Sequence, residues 1–224
     1  MGENKKKMTL LGALDAREQL KLAVDSTVRS LRRREVLFHP GDQADCICIV
    51  LDGKMKISRV SESGKEVILG IMGPGESLGL EIILAEPCTR TLAMALEPSR
   101  ILRVSREKFQ SLVLAKPELL LTLLRITNEQ LWNSRENLSR LVFMDVKGRL
   151  AALLLELSES GEKSQGCRSL ETRITHQDLA NLIGSTRETT TATLNQLRRE
   201  KLIRFEQRNI VISRPGGLET LAAS

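Results

Sequence analysis

Cysteine and histidine are scarce in this chain, and long apolar runs are missing. Of 224 residues, four are Cys and two are His. Cys46, Cys48, Cys88 and Cys167 include no C-x-x-C pair, which argues against a structural zinc site. No uninterrupted apolar stretch approaches the ~18–20 residues that span a bilayer. Met1–Lys7 is basic but leads into no apolar core with a small-residue cleavage site. Neither a secretion signal nor membrane contact is expected, and the cytoplasm is the expected location. The sequence offers no nucleophile–His–carboxylate set, no metal cluster and no Gly-rich phosphate loop with its Lys. An enzyme is not expected, and no catalytic or metal-binding residue is assigned.

What is present is positive charge. The net charge is +6 with a pI of 9.3, which favours polyanionic partners while also serving solubility. The excess is local: Arg187, Arg198, Arg199, Lys201, Arg204, Arg208 and Arg214 face only Glu188, Glu200 and Glu206 over that stretch. Such a cluster is the footprint of phosphate contacts.

That stretch also carries a two-helix pattern. Thr175–Ile183 reads as a short helix with Thr175 as N-cap, Asp178 at the positive end and Gly184 as breaker. Ser185 then opens a second helix, with Glu188 three residues on at capping-box spacing. Its buried face is Thr190, Leu194 and Leu197, leaving Arg187 and Glu188 pointing outward. Leu202–Phe205 and Ile210–Ser213 follow as a hairpin around Arg208-Asn209. Two helices joined by a tight Gly turn, with a hairpin behind, form a winged helix-turn-helix.

The rest of the chain falls into three parts. Leu10–Val24 fits one or two short helices. From Val28 to Val104 short β runs alternate with Gly and Pro turns: Val36–Phe38, Cys46–Leu51, Met55–Val60, Val67–Met72, Thr91–Leu96 and Ile101–Val104. This spacing predicts a small all-β barrel or roll, closed by a helix over Ser105–Leu114. Cys46 and Cys48 alternate in an apolar strand and read as small hydrophobes, with redox sensing the rival reading. Cys88, beside Pro87 and near Arg90, has the better claim to a reactive thiolate.

Pro117 opens a long helix in which Leu120, Leu124, Thr127, Leu131, Ser134, Leu138 and Leu141 recur at a period of 3.5. This is a dimerisation seam, or else a face packed on its own domain. Thr127 and Ser134 are polar within it and call for a reason, register control or a ligand. Asp145 caps a following helix over Val146–Leu157, built around Leu150, Leu153, Leu154 and Leu157, and Ser158–Gly166 reads as a surface loop.

A β-roll, a long seam helix and a winged helix-turn-helix together resemble the cyclic-AMP-receptor/fumarate-nitrate-regulator (CRP/FNR) superfamily of bacterial transcription factors. The marks are Phe143-Met144-Asp145-Val146-Lys147-Gly148-Arg149 at the hinge and Ile174–Ala180 with Gly184–Thr189 in the reader. The resemblance implies an α+β chain with a cyclic-nucleotide-binding-like jelly roll over 1–116, a dimerisation helix and hinge over 117–144, and a DNA-binding domain over 145–224. It implies a homodimer on a two-fold DNA site, with RNA polymerase as a further partner.

Residue by residue, Arg187 and Glu188 match the family's base-reading pair. A guanidinium can donate twice to guanine and a carboxylate can accept from cytosine N4. Glu188 has a pure capping role as its rival reading. Thr175, His176, Gln177 and Thr189 fall where phosphate contacts lie, with Ser185 and Thr186 beside them; His176 could equally be a solvated helix-start residue. One turn on, where the cyclic-AMP receptor carries a second reading Arg, this chain has Ala192, with Thr191 before it as a further candidate DNA contact.

For the effector, the family's phosphate cassette resembles Gly75–Gly79 followed by Arg90 and Thr91. Leu80 stands where the ribose-binding Glu is expected, and the carboxylate comes one residue later as Glu81. On the long helix the paired hydroxyls become Ser134 and Arg135. These departures favour a small anion other than cyclic AMP, a different nucleotide or a dicarboxylate, and no cofactor is certain. Arg90 has a surface ion pair as its rival role. Iron–sulfur sensing needs an N-terminal Cys cluster that this chain lacks, and His39 reads as a surface imidazole rather than a haem ligand. The expected function is an effector-controlled homodimeric transcriptional regulator. The alternatives are an effector-independent or Cys88-redox-controlled regulator, and a nucleotide-sensing interaction module.

Overall fold

The computed structural model describes residues 9–24, 26–43, 45–80, 88–159, 161, 163–164, 166–170, 172–207 and 209–223. The chain divides into two compact units, Met1–Ser63 with Leu69–Asn133, and Gly64–Ile68 with Ser134–Ser224.

In the first unit a 3-10 turn, Leu11–Ala13, leads to helix α1 (Ala16–Ala23). Asp15 caps α1 and Glu18 returns the bond, a capping box. Among the described residues eight strands follow, β5 running across the boundary of the two units: β1 (Thr27–Leu31), β2 (Val36–Phe38), β3 (Cys46–Asp52), β4 (Met55–Val60), β5 (Glu66–Met72), β6 (Ser77–Leu78), β7 (Leu92–Ala95) and β8 (Ser99–Ser105). They form two four-stranded sheets, ordered β1-β8-β3-β6 and β2-β7-β4-β5, antiparallel throughout the described pairings of the first sheet and at β2–β7–β4. The β runs read from the sequence are all present, two with identical ends and the rest with ends shifted by one or two residues.

The side-chain period of two sorts β3 between two cores. Cys48 and Val50 face inward, with Leu31, Met55, Ile57, Leu78 and Ile101. Ile47 and Ile49 face the helical side, against Leu22 of α1. There they meet Phe109 and Val113 of α2 (Arg106–Ala115) and Leu119, Leu123 and Ile126 of α3 (Glu118–Phe143). Ser105 caps α2 as expected, accepting from Lys108 N. Helix α3 begins one residue later than its proline suggested: Pro117 lies in the preceding turn and its carbonyl accepts from Leu120 N at 2.9 Å.

The long helix carries two apolar faces, and the expected seam is not the one packed on its own unit. Leu119, Leu123 and Ile126 are buried in their own unit, whereas Leu120, Leu124, Leu131, Leu138 and Leu141 remain 47–66% exposed. Thr127 is exposed and its hydroxyl donates to Leu123 O at 2.8 Å. That bond satisfies the Thr127 side chain within its own helix, so it needs no ligand to explain it.

In the second unit Asp145 caps α4 (Val146–Leu157) through Gly148 N at 2.7 Å. A Cβ at Gly148 would stand 3.0 Å from Leu221 O, so glycine lets α7 (Pro215–Ala222) approach closely. Between them lie β9 (Lys163–Ser164), β10 (Cys167–Ser169), α5 (His176–Ile183), α6 (Arg187–Arg199), β11 (Ile203–Glu206) and β12 (Asn209–Ile212). The Ser158–Gly166 stretch is not simply a surface loop. Ser158 is fully buried, and β9 extends the wing to a four-stranded sheet, β11-β12-β10-β9. The core joins Leu150 and Leu154 of α4 to Leu179, Ile183, Leu194, Leu197, Ile212 and Leu218.

Candidate nucleic-acid interface

The reader is assembled by two caps and one left-handed residue. Thr175 accepts from Asp178 N at 3.1 Å and opens α5; its hydroxyl donates to Asp178 Oδ2 at 2.6 Å. Gly184, at φ +63, ends α5 in the left-handed region, where its missing Cβ also spares a clash with Leu141 Cδ2 at 2.9 Å.

The second cap differs from the sequence reading. Ser185 donates its backbone N–H to Ala180 O at 2.9 Å, closing α5, and Thr186 takes the N-cap of α6 by accepting from Thr189 N at 3.2 Å. The capping box between Ser185 and Glu188 is therefore absent: measured from Thr186, Glu188 falls at the second helical position. Arg187 and Glu188 lie in the first turn and are exposed, while Thr190, Leu194 and Leu197 on the opposite face are fully buried.

Of the other expected contact residues, Thr186, Thr189 and Gln177 are exposed, and Thr175, His176, Ser185 and Thr191 are half-buried. His176 Nδ1 lies 3.0 Å from Thr191 Oγ1, linking the start of α5 to the middle of α6. Burial, and then the nearby Arg187 charge, hold the His176 imidazole below its ordinary value, so near neutrality the ring is uncharged. The simple solvated reading of His176 is thereby replaced by one in which the ring braces the two helices.

Two supports were not legible in the sequence. The Arg149 guanidinium donates from Nε to Ile183 O at 2.9 Å and from Nη1 to Met144 O at 2.7 Å, joining the hinge to the last turn of α5. On the wing, Arg198 stacks over the Phe205 ring at 5.7 Å, and His176 lies tilted 6.2 Å from the same ring. The isolated phenylalanine in a charged strand was the one available signal, and its partners are set by the tertiary fold.

The residues expected to bind an effector differ in exposure. Gly79 and Leu80 are half-buried, Leu80 packing against the helical core. Arg90 is exposed and Thr91 half-buried just before β7; Ser134 and Arg135 are exposed on α3. Glu81 lies outside the described residues. His39 is exposed in its turn, with its backbone N–H donating to Asp42 Oδ2 at 2.7 Å. Guanidinium contacts fall on Cys46, from Arg103, and on Cys167, from Arg204. Among the described residues no helix is long and apolar enough to cross a membrane, and no cluster of His, Cys, Asp and Glu could hold a metal ion.

Residues 28–116 match a cyclic nucleotide-binding domain, and residues 148–221 match a Crp-like helix-turn-helix domain. The chain is 32% identical over 183 residues to the CRP-like cAMP-activated global transcriptional regulator of Mycobacterium tuberculosis, covering 81% of each chain. It is 29% identical over 194 residues to the global nitrogen regulator of Synechococcus elongatus, covering 85% of this chain and 87% of that one. Its fold is similar to the solved structure of a transcriptional regulator of the CRP/FNR family from Thermus thermophilus, with 30% identity and a TM-score of 0.74 over 88% of this chain and 99% of the other. It also resembles the c-di-GMP responsive global regulator of Xanthomonas campestris, with 26% identity and a TM-score of 0.77 over 88% and 99% of the two chains. These relatives are regulators rather than enzymes. With an outward-facing reader helix, a winged sheet and a β-roll in one chain, this protein belongs to the CRP/FNR superfamily of DNA-binding transcription regulators.

Proposed function

We propose that the protein is a homodimeric, sequence-specific regulator controlled by a small anionic effector. The observation that carries the DNA reading is the exposed Arg187–Glu188 pair at the head of α6, backed by a fully buried Thr190–Leu194–Leu197 face. Thr175, His176, Gln177, Ser185, Thr186, Thr189 and Thr191 surround that pair as candidate phosphate and groove contacts. Dimerisation is supported by the uncovered leucines of α3, because an exposed apolar row of that period is the seam of a two-stranded coil.

The effector reading rests on the match of residues 28–116 to a cyclic nucleotide-binding domain and on Arg90 and Thr91 within it. Arg90 would carry the anion's charge, Thr91 and the Gly79-Leu80 loop would supply neutral contacts, and Ser134 and Arg135 would contribute from the long helix. Leu80 in place of a ribose-binding acid favours a dicarboxylate or a nucleotide other than cyclic AMP. Binding would shift the population between two packings of the paired helices. The hinge at Phe143–Asp145 would then set the spacing of the two readers to successive major grooves, about 34 Å apart. RNA polymerase is the proposed protein partner.

Selection of binding sites from random duplexes, with and without a panel of anionic metabolites, tests this reading. Two-fold symmetric sites should emerge, one metabolite class should change their yield, and affinity should fall steeply with salt. Weak binding with a flat salt dependence would point instead to an interaction module.

A further inference from the structure

Residues two apart on a strand share a face, and on β3 that places Cys46 and Cys48 side by side with their sulfurs 3.9 Å apart. Cys48 is 3% exposed among Val50, Met55 and Leu78, whereas Cys46 is half-buried at the mouth of the same face. Arg103 of β8, opposite Cys48 in register, donates from Nε to Cys46 Sγ at 3.2 Å and from Nη2 to Asp45 Oδ1 at 3.3 Å. The arrangement is an accessible sulfur beside a guanidinium, with a second, sealed sulfur in reach of the first. We propose that Cys46 and Cys48 form a thiol-oxidation site for hydroperoxides, with Cys46 the attacking sulfur and Cys48 the resolving one.

The titration behaviour of the pair agrees with that division. The Cys46 thiol is held below its ordinary value, first by the hydrogen bond from Cys48 and then by Arg103 against the opposing effect of burial. Cys48 is pushed strongly up by the same bond and by burial. The groups facing the pair are Arg103, whose guanidinium touches the Cys46 sulfur and favours the thiolate, and Asp45, whose carboxylate acts on Cys46 in the opposite sense; the net direction is downward. A thiolate beside a cation that reaches solvent is the reactive form of cysteine.

The chemistry closes without a metal or cofactor. The Cys46 thiolate attacks the terminal oxygen of the hydroperoxide: an S–O bond forms, the O–O bond breaks, and the leaving alkoxide or hydroxide takes a proton from water. Cys46 is now a sulfenic acid, oxidised by two electrons. Cys48 then gives up its proton as its sulfur attacks that of Cys46; the S–S bond forms, the S–O bond breaks and water leaves. Two thiols and one hydroperoxide become one disulfide, one alcohol (or water) and one water. Along a strand the two Cα atoms are about 6.6–6.8 Å apart, the upper edge of what a disulfide spans. The bond therefore closes with local shortening of β3 and should reduce readily. It closes beside the anion loop: Cys48 pairs with Leu78, and a Cβ on Gly79 would stand 3.4 Å from Cys46 O.

The test treats the folded, full-length protein with hydrogen peroxide, blocks the remaining thiols by alkylation, and weighs the tryptic peptide Glu35–Lys54, which contains both cysteines. The expected product is unalkylated, lighter by two hydrogens, and restored by dithiothreitol. Dimedone added with the peroxide should tag Cys46, and should accumulate there in C48A. R103Q should slow alkylation of Cys46 at neutral pH by roughly threefold or more, leaving Cys88 unchanged. A wild-type peptide that stays fully alkylated after peroxide would overturn the proposal, as would dimedone on Cys48 instead of Cys46 or an R103Q rate equal to wild type. The wild-type mass needs no variant to fold, and none of these readings depends on DNA binding.

Discussion

Arg187 stands at the first helical position of α6, exposed, with Glu188 beside it and Thr186 fixing the helix start. A guanidinium so placed can donate twice to one guanine, an interaction worth about 1–3 kcal/mol against the wrong base. Arg187→Ala should lose that amount on the selected site and relax preference at one base position, as read by competition with point-substituted duplexes. Equal weakening on every sequence would mark Arg187 as a phosphate contact.

His176 behaves differently. Its imidazole titrates below its ordinary value because it is partly buried and faces Arg187. The folded form thus prefers the neutral ring, so its contribution to stability is present above the unfolded pKa of ~6.5 and is lost as pH falls through the lower folded value. Wild-type thermal stability should decline on acidification through this window more steeply than that of His176→Asn. The same residue shows where sequence reading stops. Its identity at a helix start was visible, but its contact with Thr191, fifteen positions away, was not.

At the scale of elements, the local rules worked best where one residue alone could satisfy them. Asp145, Ser105 and Thr175 cap the helices expected of them, because each is a single short polar side chain before an apolar period. Ser185 and Thr186 are adjacent hydroxyls, and the choice between them depends on how α5 ends. Once Gly184 turns left-handed, Ser185 is used in closing α5 and Thr186 becomes the cap. Thr186→Ala should therefore cost about 1 kcal/mol and Ser185→Ala close to nothing, measured by urea unfolding. Equal losses would restore the capping box.

The elements that escaped notice have weak patterns. β1 exposes most of its residues at a sheet edge, and β6 and β9 are two residues each, too short to show a period. Helix α7 opens with Pro215-Gly216-Gly217, which reads as a loop, and is held by the full burial of Leu218 in the core around α4.

At the scale of the whole molecule, α3 is the element that serves two purposes. One face belongs to its own unit through Leu119, Leu123 and Ile126; the neighbouring face leaves Leu124, Leu131 and Leu138 uncovered. If that row is the seam between two copies, placing like charges in it should separate them. The double change Leu131→Glu and Leu138→Glu should give a folded monomer by sedimentation, with affinity for a two-fold site reduced at least a hundredfold while each half-site is still engaged weakly. A variant that remained dimeric would locate the interface elsewhere.

The sequence by itself determined the kind of each part: strands from alternation and Gly turns, the exposed apolar row of the long helix from its 3.5-residue period, and the helix-turn-helix from a cap, a glycine and a basic turn. These are local signals, set by backbone geometry over a few residues, and they survive without knowledge of the partners. Only the tertiary structure decided which hydroxyl caps α6, which carbonyls Arg149 joins and that Cys46 and Cys167 meet guanidinium groups. The choice of cap follows from how the preceding helix ends, and the guanidinium contacts join residues of different elements; a side chain's neighbour across a sheet or helix pair follows from packing and register, which no short window of sequence contains.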